Sequence, residues 1–118
     1  MNYKFYKEEI DGIITLGIMP EKEEYNILFR FGSYDWTSLR AQEIIDGVEE
    51  SRERPKGEEY IWANEDVTLY SNENGILFID DISQRVGEND PEKLNFGMST
   101  DEFIVFMQEF KLFIEENS

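Results

Sequence analysis

The sequence predicts an α+β domain built on a mainly antiparallel sheet, in the order βββ-α-βββ-α. Two observations carry that prediction. Short apolar segments of strand length come in two groups joined by links short enough for hairpins. Each group is followed by one segment whose apolar residues recur at helical spacing. A length of 118 residues suits one domain spanning residues 1–118, with enough chain to bury a core unaided.

The first group holds three strand signals. Residues 3–7 are brief and aromatic. Residues 13–19 are bounded by Asp11-Gly12 and Pro20. Residues 25–31 alternate, with Tyr25, Ile27, Phe29 and Phe31 on one face and Asn26 and Arg30 on the other. The polar links 8–12 and 20–24 favour antiparallel neighbours. A helix is expected from Thr37 or Ser38 to Arg54, with Ala41, Ile44, Ile45 and Val48 as its buried stripe and Pro55 and Gly57 as its stop. Gly47 weakens its middle by about 1 kcal/mol relative to Ala.

The second group begins at 58–63, where Tyr60 and Trp62 share one face and Ile61 takes the other. Strands 67–70 and 76–79 flank Asn74-Gly75, a pair suited to the positive-φ positions of a tight turn. Residues 80–92 read as an acidic loop with a helical turn around 82–86. The last helix has the clearest start in the chain. Ser99 and Glu102 form a capping-box pair, and Met98 and Phe103 occupy staple positions. Phe103, Phe106, Met107, Phe110, Phe113 and Ile114 then make one apolar stripe, expected to pack across the sheet. Val105 and Leu112 lie on its far side.

Charge is the unusual property. Twenty-seven Asp and Glu against eleven Lys and Arg give a formal net charge of −16. Such a chain repels phosphates and anionic membrane surfaces and is drawn to basic ones. An aromatic content of 14% sets it apart from acidic disordered chains. The absence of Cys excludes disulfides and thiolate chemistry, and the first residues lack an apolar leader, so the expected compartment is the cytoplasm.

Catalysis finds little support. The chain has no His, which removes the commonest general base and metal ligand. Its Gly residues form no phosphate-cradling loop, and no cofactor is expected. Asp80-Asp81, with Asp90 or Glu92, could hold a hard cation or act as a glycosidase-like pair. Among 27 carboxylates an adjacent pair also arises by chance, so the expectation is that the protein is not an enzyme.

Two constellations suit a binding role. Glu43, Asp46, Glu50 and Glu53 fall on one helical face nearly opposite the buried stripe, relieved only by Arg40, Arg52 and Arg54. That is either a solvated outer face or the footprint of a basic partner. Tyr60 and Trp62 are either core residues or aromatic anchors at such an interface. The acidic loop carrying Asp80, Asp81, Asp90 and Glu92 is a rival footprint.

The late hairpin Val67-Thr68-Leu69-Tyr70 to Ile76-Leu77-Phe78-Ile79, followed by Ser99-Thr100-Asp101-Glu102-Phe103 opening an aromatic helix, resembles immunity proteins of bacterial polymorphic toxin systems, particularly those of contact-dependent growth inhibition. The resemblance implies a cytoplasmic inhibitor that binds one cognate toxin C-terminal domain. Many such toxins are nucleases, often cutting tRNA, and some engage elongation factor Tu. A nuclease must present a cationic surface to phosphates, and an acidic inhibitor can cover it. Two alternatives stay open: an acidic nucleic-acid mimic that inhibits a host nucleic-acid-binding protein, and a non-catalytic adaptor subunit of a bacterial assembly.

Overall fold

The computed structural model describes residues 2–117, except for the side chain of Glu92. The fold is α+β with two antiparallel sheets. Strands β1 (Tyr3–Ile10) and β2 (Ile13–Pro20) form a hairpin. Helices α1 (Ile27–Phe31) and α2 (Ser38–Glu50) follow. Strands β3 (Tyr60–Ala63), β4 (Val67–Asn72) and β5 (Gly75–Asp80) come next, then α3 (Asp81–Arg85), α4 (Pro91–Leu94), β6 (Asn95–Met98) and α5 (Thr100–Glu116). The second sheet runs β3-β4-β5-β6, each strand antiparallel to its neighbours.

The hairpins follow from their turns. Asp11 and Gly12 both adopt positive φ, 53° and 81°, as a type I′ turn requires, and register Ile10 opposite Ile13. The β4–β5 turn differs from expectation. Its two-residue loop is Glu73-Asn74, and Gly75, with φ of 108°, already pairs with Asn72.

The expected third strand at 25–31 is helical. A 3-10 turn at Glu23–Tyr25 runs straight into α1. Alternation would have turned Phe29 inward with Phe31. The helix instead buries Ile27, Leu28 and Phe31 and leaves Phe29 exposed. Phe31 is the hub of the core, with ring centroids of Trp36, Trp62, Phe78, Phe103 and Phe106 within 5.2–6.2 Å. Burial of this one ring outweighs the weak strand preference of a short segment.

Helix α2 starts where expected: the Thr37 hydroxyl accepts from the Arg40 N–H at 3.1 Å. It ends at Glu50, four residues before Arg54. Ser51 stops it. Its hydroxyl donates back to the Val48 carbonyl at 2.8 Å and shares a 2.6 Å hydrogen bond with the Ser71 hydroxyl, both Ser being buried. Gly47 has a packing reason: a Cβ there would collide with the Tyr60 ring.

Helix α5 begins at Ser99, whose hydroxyl accepts from the Glu102 N–H at 3.1 Å. It runs antiparallel to α2, as shown by Ser38 donating to Glu115, Lys111 donating to Gln42 and Arg52 pairing with Asp101. Its apolar stripe meets both sheets. Phe103 faces Phe78 of β5, while Phe106 and Phe110 pack on Tyr3 and Phe5 of β1. Phe113 is only partly buried, and Ile104 joins the core in addition. Val105 and Leu112 are exposed. Among the described residues no helix is long and apolar enough to cross a membrane.

Candidate protein-binding surface

The buried stripe of α2 is the expected one, Ala41, Ile44, Ile45 and Val48. Burying it forces Glu43, Asp46 and Glu50 outward, and all three are exposed. The expected fourth member, Glu53, is exposed too but stands beyond the helix, in the turn that Ser51 initiates. Leu39 precedes them at helical spacing and is 69% exposed. The outward face of α2 is therefore three carboxylates with one leucine at its N-terminal end.

Two of the three cations near this face are engaged elsewhere; the third, Arg54, is exposed beyond the helix end and takes part in no ion pair among the described residues. Arg40 pairs with Asp35 at 3.0 Å and lies over the Tyr34 ring, 5.4 Å from its centroid. Arg52 donates through Nε and a terminal nitrogen to the two carboxylate oxygens of Glu49, at 2.8 and 3.0 Å, and reaches Asp101 at 2.9 Å. Those bonds from Arg52 hold Glu49 below the usual carboxylate range. Glu43, Asp46, Glu50 and Glu53 take part in no ion pair among the described residues. Asp46 accepts one hydrogen bond from Gln42, at 2.8 Å. A run of like charges left unpaired costs the helix a few tenths of a kcal/mol per pair.

Tyr60 and Trp62 flank this helix from β3. Tyr60 is half-buried over Gly47, and its pKa is raised by burial first, then by the charges of Glu43 and Tyr34. Trp62 is not a free anchor. It is half-buried, edge-on to Phe31 and Tyr34 and stacked on Trp36 at 6.0 Å. Tyr34 is exposed and packs edge-on to both indoles. The structure thus joins Glu43, Tyr60 and Trp62 into one neighbourhood along the α2–β3 seam.

The rival acidic loop is mostly structural. Asp80 is buried. Its carboxylate accepts from Arg30 at 3.0 Å, and from the N–H and hydroxyl of Ser83, both at 3.0 Å, capping α3. Asp81 accepts from the Thr68 hydroxyl at 2.6 Å. Asp90 is exposed, and its carbonyl accepts from the N–H groups of Lys93 and Leu94 in α4. The side chain of Glu92 lies outside the described residues. Asp80 and Asp81 are therefore held by side chains of the fold, and among the described residues no cluster of three or more carboxylates is arranged to hold a metal ion.

Exposed apolar residues that the sequence reading passed over stand on the first hairpin: Ile10 at 59%, Ile13 at 70% and Ile14 at 49% exposure. The signal was present. Ile13 and Ile14 are consecutive in a strand, so they point to opposite faces and cannot both enter one core. A search of family models, curated proteins and solved structures finds no match to this chain.

Proposed function

We propose that the protein is a non-catalytic inhibitor of the immunity type, which acts in the cytoplasm by covering the basic surface of a cognate toxin domain. One observation carries this reading. The outward face of α2 presents Glu43, Asp46 and Glu50 without a cation, while Arg40 and Arg52 of the same region are bound to Asp35, Glu49 and Asp101. A face that served only solubility would gain from mixed signs. Withholding Arg40 and Arg52 leaves Arg54 as the one arginine near this face without an ion pair among the described residues, keeps the negative potential available to an approaching cationic surface and speeds the encounter. Nuclease toxins have such a surface, because their substrate is a polyanion.

The test uses the C-terminal domain of a toxin found encoded beside this chain; the absence of any such neighbour would count against the reading. Wild-type protein should bind that domain and suppress its activity, with an association rate that falls as salt is raised, since attraction is screened over about 8–10 Å at physiological ionic strength. Glu43→Gln, Asp46→Asn, Glu50→Gln and Glu53→Gln together should slow association about tenfold or more at low salt while the fold persists. Equal association rates at two salt concentrations for this variant and wild type would refute the electrostatic role of the face.

A further inference from the structure

Three isoleucines at the end of the first hairpin call for an explanation in a chain that is 32% charged. Each forgoes part of the roughly 1.5–3 kcal/mol that full burial of such a side chain yields. Position explains their exposure but not their identity. In the β1–β2 register Ile14 lies opposite Glu9, beyond Leu16, the outermost buried residue of its row. Ile10 and Ile13 face each other across the left-handed Asp11-Gly12 turn. Ile10 and Ile13 are mostly exposed, so a polar residue at either would give up little burial.

Opposite the hairpin stands the 33–36 loop. Ile13, Ile14 and Leu16 on one side and Tyr34, Asp35 and Trp36 on the other line a groove of about 600 Å³. Its aromatic wall is fixed, because the Trp36 indole N–H donates to the Gly32 carbonyl at 2.9 Å. The hairpin side of the rim is net anionic: Glu9 lies opposite Ile14 and Asp11 stands in the turn, against one cation, Lys7, opposite Leu16, and none of the three takes part in an ion pair among the described residues. The loop runs through Thr37 into the first turn of α2, so the groove adjoins the end of the acidic face where Leu39 is exposed.

We infer that this groove seats an apolar, lysine- or arginine-bearing segment of the same basic partner that meets α2. The inference rests on the functional reading above and adds the place where the partner's apolar contact is made. The rim chemistry selects the occupant. Nucleic acid is repelled by the hairpin carboxylates, and a second copy would bring the same carboxylates and another −16 against the first. A cationic segment with apolar side chains satisfies both the rim and the walls, and desolvated apolar contact slows dissociation where charge speeds arrival.

The test compares wild type with Ile13→Thr/Ile14→Thr, which keeps β-branched residues and every charge. Two synthetic peptides of equal positive charge serve as probes, one of Leu and Lys, the other of Ser and Lys, with binding read from Trp fluorescence. Wild type should prefer the Leu-containing peptide at least tenfold, and the variant should lose that preference at an unchanged denaturation midpoint. A preference that survives in the variant overturns the inference. So does a wild-type dimer in sedimentation that the variant dissolves, since that assigns the groove to a second copy. Against the toxin domain, the variant should dissociate at least tenfold faster with an unchanged association rate. A toxin domain that does not bind wild type at all defeats the functional reading instead, while the peptide comparison still decides the groove.

Discussion

Replacing Asp80 separates a structural carboxylate from an interfacial one. Asp80→Ala removes the cap of α3, worth about 1 kcal/mol, and the charge-assisted hydrogen bond from Arg30, worth about 1.5–3 kcal/mol when desolvated. The second figure must be reduced, because the Arg30 side chain is 35% exposed and recovers hydration when its partner is lost. A total of about 2–3 kcal/mol results. For 118 residues the entropy of unfolding is about 250 cal/mol/K, so the expected loss in Tm is about 10 °C. Asp80→Asn retains an oxygen able to cap and should lose about 1 kcal/mol less than Asp80→Ala. Urea and thermal unfolding, followed by circular dichroism, measure both. Below the transition each variant should bind the proposed basic partner as wild type does. An unchanged midpoint for Asp80→Ala would mean that the Arg30–Asp80–Ser83 arrangement contributes nothing, and the carboxylate would return to the interface candidates.

Phe106 is fully buried among Tyr3, Phe5, Phe31, Phe103 and Phe110, so Phe106→Ala should cost about 3–5 kcal/mol in the same unfolding assay; a loss below 1 kcal/mol would show that α5 is not seated on β1 as described. Tyr3 and Tyr60 have phenol pKa values raised from 10.0, chiefly by burial. The folded state therefore keeps these protons after the unfolded chain releases them. The stability involved is fully present below pH 10 and is lost as pH rises through the raised values. Tyr3→Phe/Tyr60→Phe should flatten that alkaline decline, and an identical slope in the double variant would contradict the shifts.

Legibility in the sequence followed the range of the signal. The Ser99 cap and the α5 stripe are encoded within a few residues, and each stands where the sequence placed it; the Asp11-Gly12 turn lies inside the expected link 8–12, but β1 runs on to Ile10. The segment 25–31 misled because five helical residues are too few to display a period, and Asn26 offers no side-chain cap. Its conformation is set by Phe31 reaching rings distant in sequence, which no local pattern records. The outward carboxylates of α2 were legible because they are the complement of its buried stripe. Glu53 was misplaced because the stop at Ser51 depends on Ser71, twenty residues away. The pairing of Arg52 with Asp101 is likewise a tertiary fact, whereas Arg40–Asp35 and Arg52–Glu49 are local pairs.

Unpaired surface carboxylates give salt two opposite jobs in this molecule. Within the folded chain, dissolved ions screen the repulsion among like charges that nothing else compensates, so ionic strength acts as a stabiliser of the fold. Between this chain and a cationic partner, the same ions erode the attraction. Raising salt should therefore lift the unfolding transition while it slows complex formation, and the sturdiest state of the isolated protein is reached where its association is slowest.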